Sequence, residues 1–163
     1  MAVALTALEA RVHASGPGGT RVIPMPGLHR LPGSEPGRDT VLEPGELITS
    51  VELPPPPPGR SAYRKVRERA SFAFAVVSVA AALDVVDGTV REARLALGGV
   101  AHKPWRCRAA EAVLQGAPAN AETFARAADV ELAAARPLRD NGHKVPIARN
   151  TICTLLADLA ARP

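Results

Sequence analysis

Apolar and polar positions change period several times along the chain, and each change predicts an element. Met1 to Ala10 places Val3, Leu5 and Leu8 on or near one side, which predicts a short helix. Arg11 to Ala14 reads as extended, Gly16-Pro17-Gly18-Gly19 as a turn, and Thr20 to Met25 as a second short strand. A helix and one strand pair cannot enclose a core, so this part is expected to find its packing partners in another chain or in sequence that this chain lacks. Residues 26–46 recur in Pro and Gly and predict a loop long enough to be a site or an interface. Ile48 to Leu53 alternates as a strand, and Pro54 to Pro58 reads as a stiff polyproline connector.

Beyond the connector the pattern closes on itself. Ser61 to Arg69 alternates as a strand, with Tyr63 and Lys65 on one face and Arg64 and Val66 on the other. Ala73 to Val86 is an apolar run suited to a buried central strand, Asp87-Gly88 is a hairpin turn signal, and Val90 to Leu97 returns with alternation. Three helices are predicted after the Gly98-Gly99 break. They are Arg108 to Gln115, Ala121 to Ala135 with Asn120 as N-cap, and 146–161, where Pro146 is tolerated in the first turn. The fold class expected is α+β: residues 1–55 end one α+β unit, and 60–163 form a three-stranded antiparallel sheet packed with three helices.

Composition narrows the classes. Hydrophobic residues make up 47% and charged residues 22%, a globular balance. Aromatics are only 3%, so the core must be Ala, Val and Leu with thin, Ala-rich helix contacts. The net charge of +4 and the broken basic tract at Arg60, Arg64, Lys65, Arg67 and Arg69 do not carry an argument for nucleic acid. No apolar run reaches the roughly 18–20 residues that span a bilayer. The start lacks the basic n-region of a secretory signal. Cytoplasm is therefore the expected compartment, or the periplasm by co-export with a partner. Cys107 and Cys153 share no metal-ligand spacing and are expected to be packing thiols.

Catalytic constellations are not legible. His13, His29, His102 and His143 pair with no carboxylate or Cys at ligand spacing. Glu43, Glu46 and Glu52 read as solvated charges, and no nucleophile elbow or phosphate-binding motif is present. The ordered string is more informative. Leu42-Glu43-Pro44-Gly45-Glu46-Leu47-Ile48-Thr49, Val51-Glu52-Leu53-Pro54 and Ser61-Ala62-Tyr63-Arg64-Lys65-Val66-Arg67 come first. Ser78 to Leu83, Asp87-Gly88, Ala93 to Ala101 and His102-Lys103-Pro104-Trp105-Arg106 follow. This set resembles the FAD-binding medium subunit of molybdenum hydroxylases, the xanthine dehydrogenase and carbon monoxide dehydrogenase family, over almost the whole chain. Leu28 to Gly33 further resembles the aldehyde oxidoreductase branch, whose flavin subunits can also carry an iron–sulfur cluster.

The resemblance implies an electron-transfer subunit. A molybdenum-cofactor large subunit would oxidise substrate, and an iron–sulfur small subunit would pass electrons to FAD and on to an external acceptor. It implies no catalytic or metal-ligating residue in this chain and an oxidoreductase subunit inactive alone. For cofactor binding it implies Ile48, whose backbone and apolar side chain would meet the flavin, and Lys65, whose cation would lie near the ring, with Arg64 as the alternative. The Gly-rich FAD pyrophosphate loops of the family are expected upstream of the region matched, so weak FAD binding by this chain alone is expected. The alternative function is a non-catalytic interaction module that docks on partner subunits without binding FAD.

Overall fold

The computed structural model describes residues 1–161 and contains two antiparallel sheets with helices distributed unequally between them. In chain order the elements are α1 (Ala2–Ala7), β1 (Arg11–Gly16), β2 (Gly19–Pro24), α2 (Met25–Leu28) and β3 (Leu47–Glu52). There follow β4 (Arg60–Val66), β5 (Val77–Val86), β6 (Thr89–Gly98), β7 (Trp105–Arg106), α3 (Arg108–Leu114), α4 (Ala121–Leu132) and α5 (Lys144–Ala161). The sheet orders are β2-β1-β3 and β4-β5-β6-β7. The α+β class and the three strands expected in the second sheet are present. The two-residue β7, which pairs Ala96 with Arg106 and Leu97 with Trp105, adds a short fourth.

Two details of the second sheet depart from the expected pattern. Its central strand starts at Val77, not Ala73, because residues 67–76 form an irregular loop in which Phe72 takes a positive φ of 48° and Phe72 and Phe74 are almost fully exposed. The β5–β6 hairpin turns at Asp87-Gly88 with φ of 49° and 72°, the left-handed pair that Asp-Gly supplies at low cost. The main core lies between one face of this sheet and α3, α4 and α5. Val77, Val79, Ala81 and Leu83 alternate into it, and Phe124, Leu95, Leu114, Ile152 and Leu156 fill it. Asn120 caps α4 as expected, its Oδ1 accepting from the Thr123 N–H at 2.9 Å.

The opposite face of the same sheet is covered by α1. Ala7 packs on Ala80 and Ala96, with Val3 and Ala4 beside them, so small side chains bring helix and sheet close. At Gly98 a Cβ would stand 2.5 Å from Val3 Cγ2 and 2.6 Å from Ser78 Oγ, so glycine is what admits the helix there. Arg106 Nη1 donates to the carbonyls of Thr6 and Ala7 at 3.0 and 3.3 Å, a cation at the C-terminal end of the helix. The N-terminal helix thus finds its partner in β5 and β6 of this chain, contrary to the expectation of another chain or absent sequence, because its alanine face is small enough to lie on the sheet.

Sheet β2-β1-β3 has a smaller core of its own, made by Ala10, Val12, Ala14, Ile23, Met25 and Leu28. Residues 26–46 are folded back by the Arg30 N–H to Asp39 O bond at 2.9 Å and the Val41 N–H to Leu28 O bond at 2.9 Å. Every residue of β3 is exposed. No helix among the described residues is long and apolar enough to cross a membrane.

Candidate functional site

Strand alternation decides what each residue of β4 faces. Ala62, Arg64 and Val66 turn toward the helical layer, while Tyr63 and Lys65 turn to the open side. Arg64 Nη2 meets Asp158 Oδ2 of α5 at 2.5 Å, a tie across the core's edge. Lys65 Nζ donates to the Ala73 carbonyl at 3.0 Å and is exposed, and among the described residues it has no carboxylate within ion-pair distance. Tyr63 is 47% exposed beside it, next to a groove of about 180 Å³ lined by Ala4, Ala7, Leu8 and Ala80. Ile48 lies on β3 in the other sheet, 48% exposed, among Leu47, Val51 and Leu53, which are also exposed. The structure therefore puts Ile48 and Lys65 on uncovered surfaces of two different sheets and turns Arg64 away from both.

The loop after β4 shapes the surface next to Lys65. Arg69 Nε donates to the Phe72 carbonyl at 3.1 Å, and Lys65 holds Ala73. Two side chains thus fix the backbone while leaving both phenylalanines in solvent. Sequence reasoning placed Ala73 in a strand and so missed this exposed aromatic pair. The Ser71-Phe72-Ala73-Phe74 segment has the alternation of a strand, and nothing local marks it as a loop.

Several charged residues hold the fold, contrary to their reading as isolated or solvated. Glu46 is shielded, taking Arg21 Nε and Nη2 at 2.7 Å each and the Glu43 N–H at 2.7 Å. The hydrogen bond from Arg21, with the Glu43 amide, keeps its carboxyl below the usual range. His13 does have a carboxylate partner, Glu52 Oε2 at 2.9 Å, brought across β1 and β3 from a separation of 39 residues that no local motif shows. Buried Glu111 accepts from the Leu95 N–H at 2.7 Å and from Arg106 Nε. Glu131 accepts from Trp105 Nε1 at 2.8 Å and from the Ala110 N–H at 3.0 Å. A signal for Glu111 existed: Cys107, Ala110, Glu111 and Leu114 share one helical face.

The thiols and His29 are packed into the fold, while His102 and His143 are exposed. Burial, reinforced by Glu131 and Glu111, pushes the Cys107 thiol well up, and burial also raises Cys153. His29 is held below its ordinary value by burial and by Lys103, against Asp39, and its Nδ1 is buried without a partner. No group of His, Cys, Asp and Glu among the described residues could hold a metal ion.

Residues 61–160 match the family described as the CO dehydrogenase flavoprotein C-terminal domain, and the chain belongs to that family. This is the class that the resemblance implied, the FAD-binding medium subunits of molybdenum hydroxylases. Among relatives, the chain is 47% identical over 99% of its length to the aldehyde oxidoreductase FAD-binding subunit PaoB of Escherichia coli (strain K12), covering 48% of that protein. It is 32% identical over 71% of its length to the putative xanthine dehydrogenase FAD-binding subunit XdhB of the same organism, covering 39%. The chain thus spans about half or less of the length of these relatives. Its fold matches a reconstituted CO dehydrogenase from Oligotropha carboxidovorans with a TM-score of 0.89 at 24% identity, over 100% of this chain and 57% of that one.

Proposed function

We propose that the chain is the carboxy-terminal part of an FAD-binding electron-transfer subunit of a molybdenum-cofactor-dependent dehydrogenase. Residues 1–55 would complete a flavin-binding unit, and 60–163 would form the carboxy-terminal domain. The single observation that carries this reading is the 47% identity with PaoB across nearly the whole chain, which includes both Ile48 and Lys65. The residues present suit the ring end of a flavin: an uncovered apolar side chain at Ile48, an exposed ring at Tyr63, and a cation at Lys65 that no carboxylate among the described residues neutralises. Arg64, committed to Asp158 on the other face, fits less well than Lys65. When bound, FAD would supply the one- and two-electron chemistry that links iron–sulfur clusters to an external acceptor.

The chain's own part is limited to binding and tuning. Lys65 would favour negative charge on the reduced ring by simple attraction, and Ile48 and Tyr63 would keep water from one side of it. The molybdenum cofactor and iron–sulfur clusters would belong to partner subunits or to further sequence of the whole protein, in the cytoplasm. FAD titration followed by flavin fluorescence and absorbance tests this. The chain alone is expected to bind weakly, and in flavin-loaded protein K65M should weaken the hold on reduced relative to oxidised flavin by about tenfold. An unchanged reduction potential in K65M would remove the role given to Lys65. Flavin-free protein when purified with its partners would favour the second reading, a docking module, for which the exposed Phe72 and Phe74 speak.

A further inference from the structure

A cleft of about 540 Å³ opens between the β6–β7 connection and the segment that follows α4, and none of its lining residues belongs to β3 or β4. Its volume is in the range of small-ligand pockets. The lining is mostly apolar and includes Trp105, Val100, Leu132, Ala135 and Leu138, with His102 among its polar members. Its walls are braced from within the chain. Trp105 is held through its Nε1–H to Glu131 at 2.8 Å, and Asn141 Oδ1 accepts from the Leu138 N–H at 2.7 Å. Lys144 Nζ ties α5 to the Gly99 carbonyl at 2.8 Å. Both oxygens of Glu131 already accept N–H groups, so that carboxylate has no need of a ligand's donors.

Arg136, at the rim, is different. It has five N–H donors, and its one acceptor is the adjacent Ala135 carbonyl at 3.1 Å; no Asp or Glu lies within ion-pair distance of it among the described residues. An apolar floor with one unmatched guanidinium at its edge selects an apolar body bearing one anionic head. We infer that this cleft binds a small organic carboxylate on an aliphatic or aromatic body, with Trp105 and Leu132 against the body and Arg136 against the carboxylate. The site is separate from the flavin-facing surface and does not depend on it.

Trp105 is the only tryptophan of the chain, so it reports on its own cleft. The test is a titration of the full chain with octanoate and with hydrocinnamate, read by tryptophan emission, with octanol and hydrocinnamyl alcohol as uncharged counterparts. A saturable shift with either acid is expected, and the stronger of the two identifies the body as aliphatic or aromatic. The matching alcohol and the R136M variant should each bind about tenfold more weakly. A135F, which fills the cleft, should abolish the response while its circular dichroism stays that of the parent chain. The inference is overturned by no saturable response to either acid, by alcohols that bind as well as acids, by an R136M variant that binds like the parent, or by a response that survives in A135F.

Discussion

Sheet β4-β5-β6-β7 is covered by three helices on one face and by α1 over the β5–β6 part of the other, and its main cluster holds 18 buried residues. Sheet β2-β1-β3 has six, and its strand β3 shows every side chain to solvent. Both sheets pair antiparallel with one register shift each, at His13/Ala14 and at Asp84/Val85, so backbone hydrogen bonding does not distinguish them. Burial does. At roughly 25 cal/mol per Å² of apolar surface removed from water, stability concentrates in the second sheet. The first is left with open apolar surface around Leu47, Ile48, Val51 and Leu53, one of the two places where flavin contacts are proposed. One region closes its own core, and the other leaves apolar side chains open to solvent.

The largest expected effect is on the closed region. F124A removes a fully buried ring at the centre of the helical layer and should cost about 3–5 kcal/mol in denaturant unfolding. I23A in the open region should cost about 2 kcal/mol, because its surroundings are shallower. Equal costs would break the comparison. Next comes E111A, which leaves the Leu95 N–H unmet and takes from Arg106 its buried carboxylate, with only Glu9 and the Thr6 and Ala7 carbonyls remaining, and should cost about 2 kcal/mol. If the loss were under about 1 kcal/mol, as for an exposed pair, the joint between β6, β7 and α3 would not depend on that carboxylate.

The smallest effect is a pH dependence of the α1 seam. Burial opposes ionisation of Glu9, but Arg106, Arg108 and Arg94 outweigh it and hold its carboxyl below the usual range. A folded-state value below the unfolded one means that the contribution is present above the ordinary glutamate range. It fades as pH falls through the lowered folded value. Protection factors of the α1 amides, taken against the intrinsic exchange rate at each pH, should therefore fall in acid in the parent chain and lose that acid dependence in E9Q. An E9Q profile identical to the parent's would show that the seam rests on its alanine packing alone.

Much of the fold was legible in the sequence because local chemistry declares it. The Asp87-Gly88 turn, the Asn120 cap and the alternation of Tyr63 and Lys65 against Arg64 and Val66 all stand as read. What was not legible depends on distant pairing. Residues 73–76 have the apolar character of β5 but lie where the sheet has ended. Residues Trp105 and Arg106 become a strand only because β6 is beside them. Glu46 and His13 look solvated until Arg21 and Glu52 arrive across the sheet. The candidate positions Ile48 and Lys65 come from resemblance and stand as proposals, while their setting, with Arg64 turned inward and two phenylalanines held outward, needed the fold.

The docking of α1 also has a consequence for how the chain is made. Thr6 and the Arg106 that grips its carbonyl are 100 positions apart. At a synthesis rate of roughly 5–20 residues per second, the helix segment emerges about 5–20 seconds before its anchor exists. In that interval its Val3, Ala4 and Ala7 stripe has no sheet to lie on. A stripe made mostly of alanine is a weak lure for stray apolar surfaces, so a newborn chain can carry it uncovered until β5 and β6 are in place.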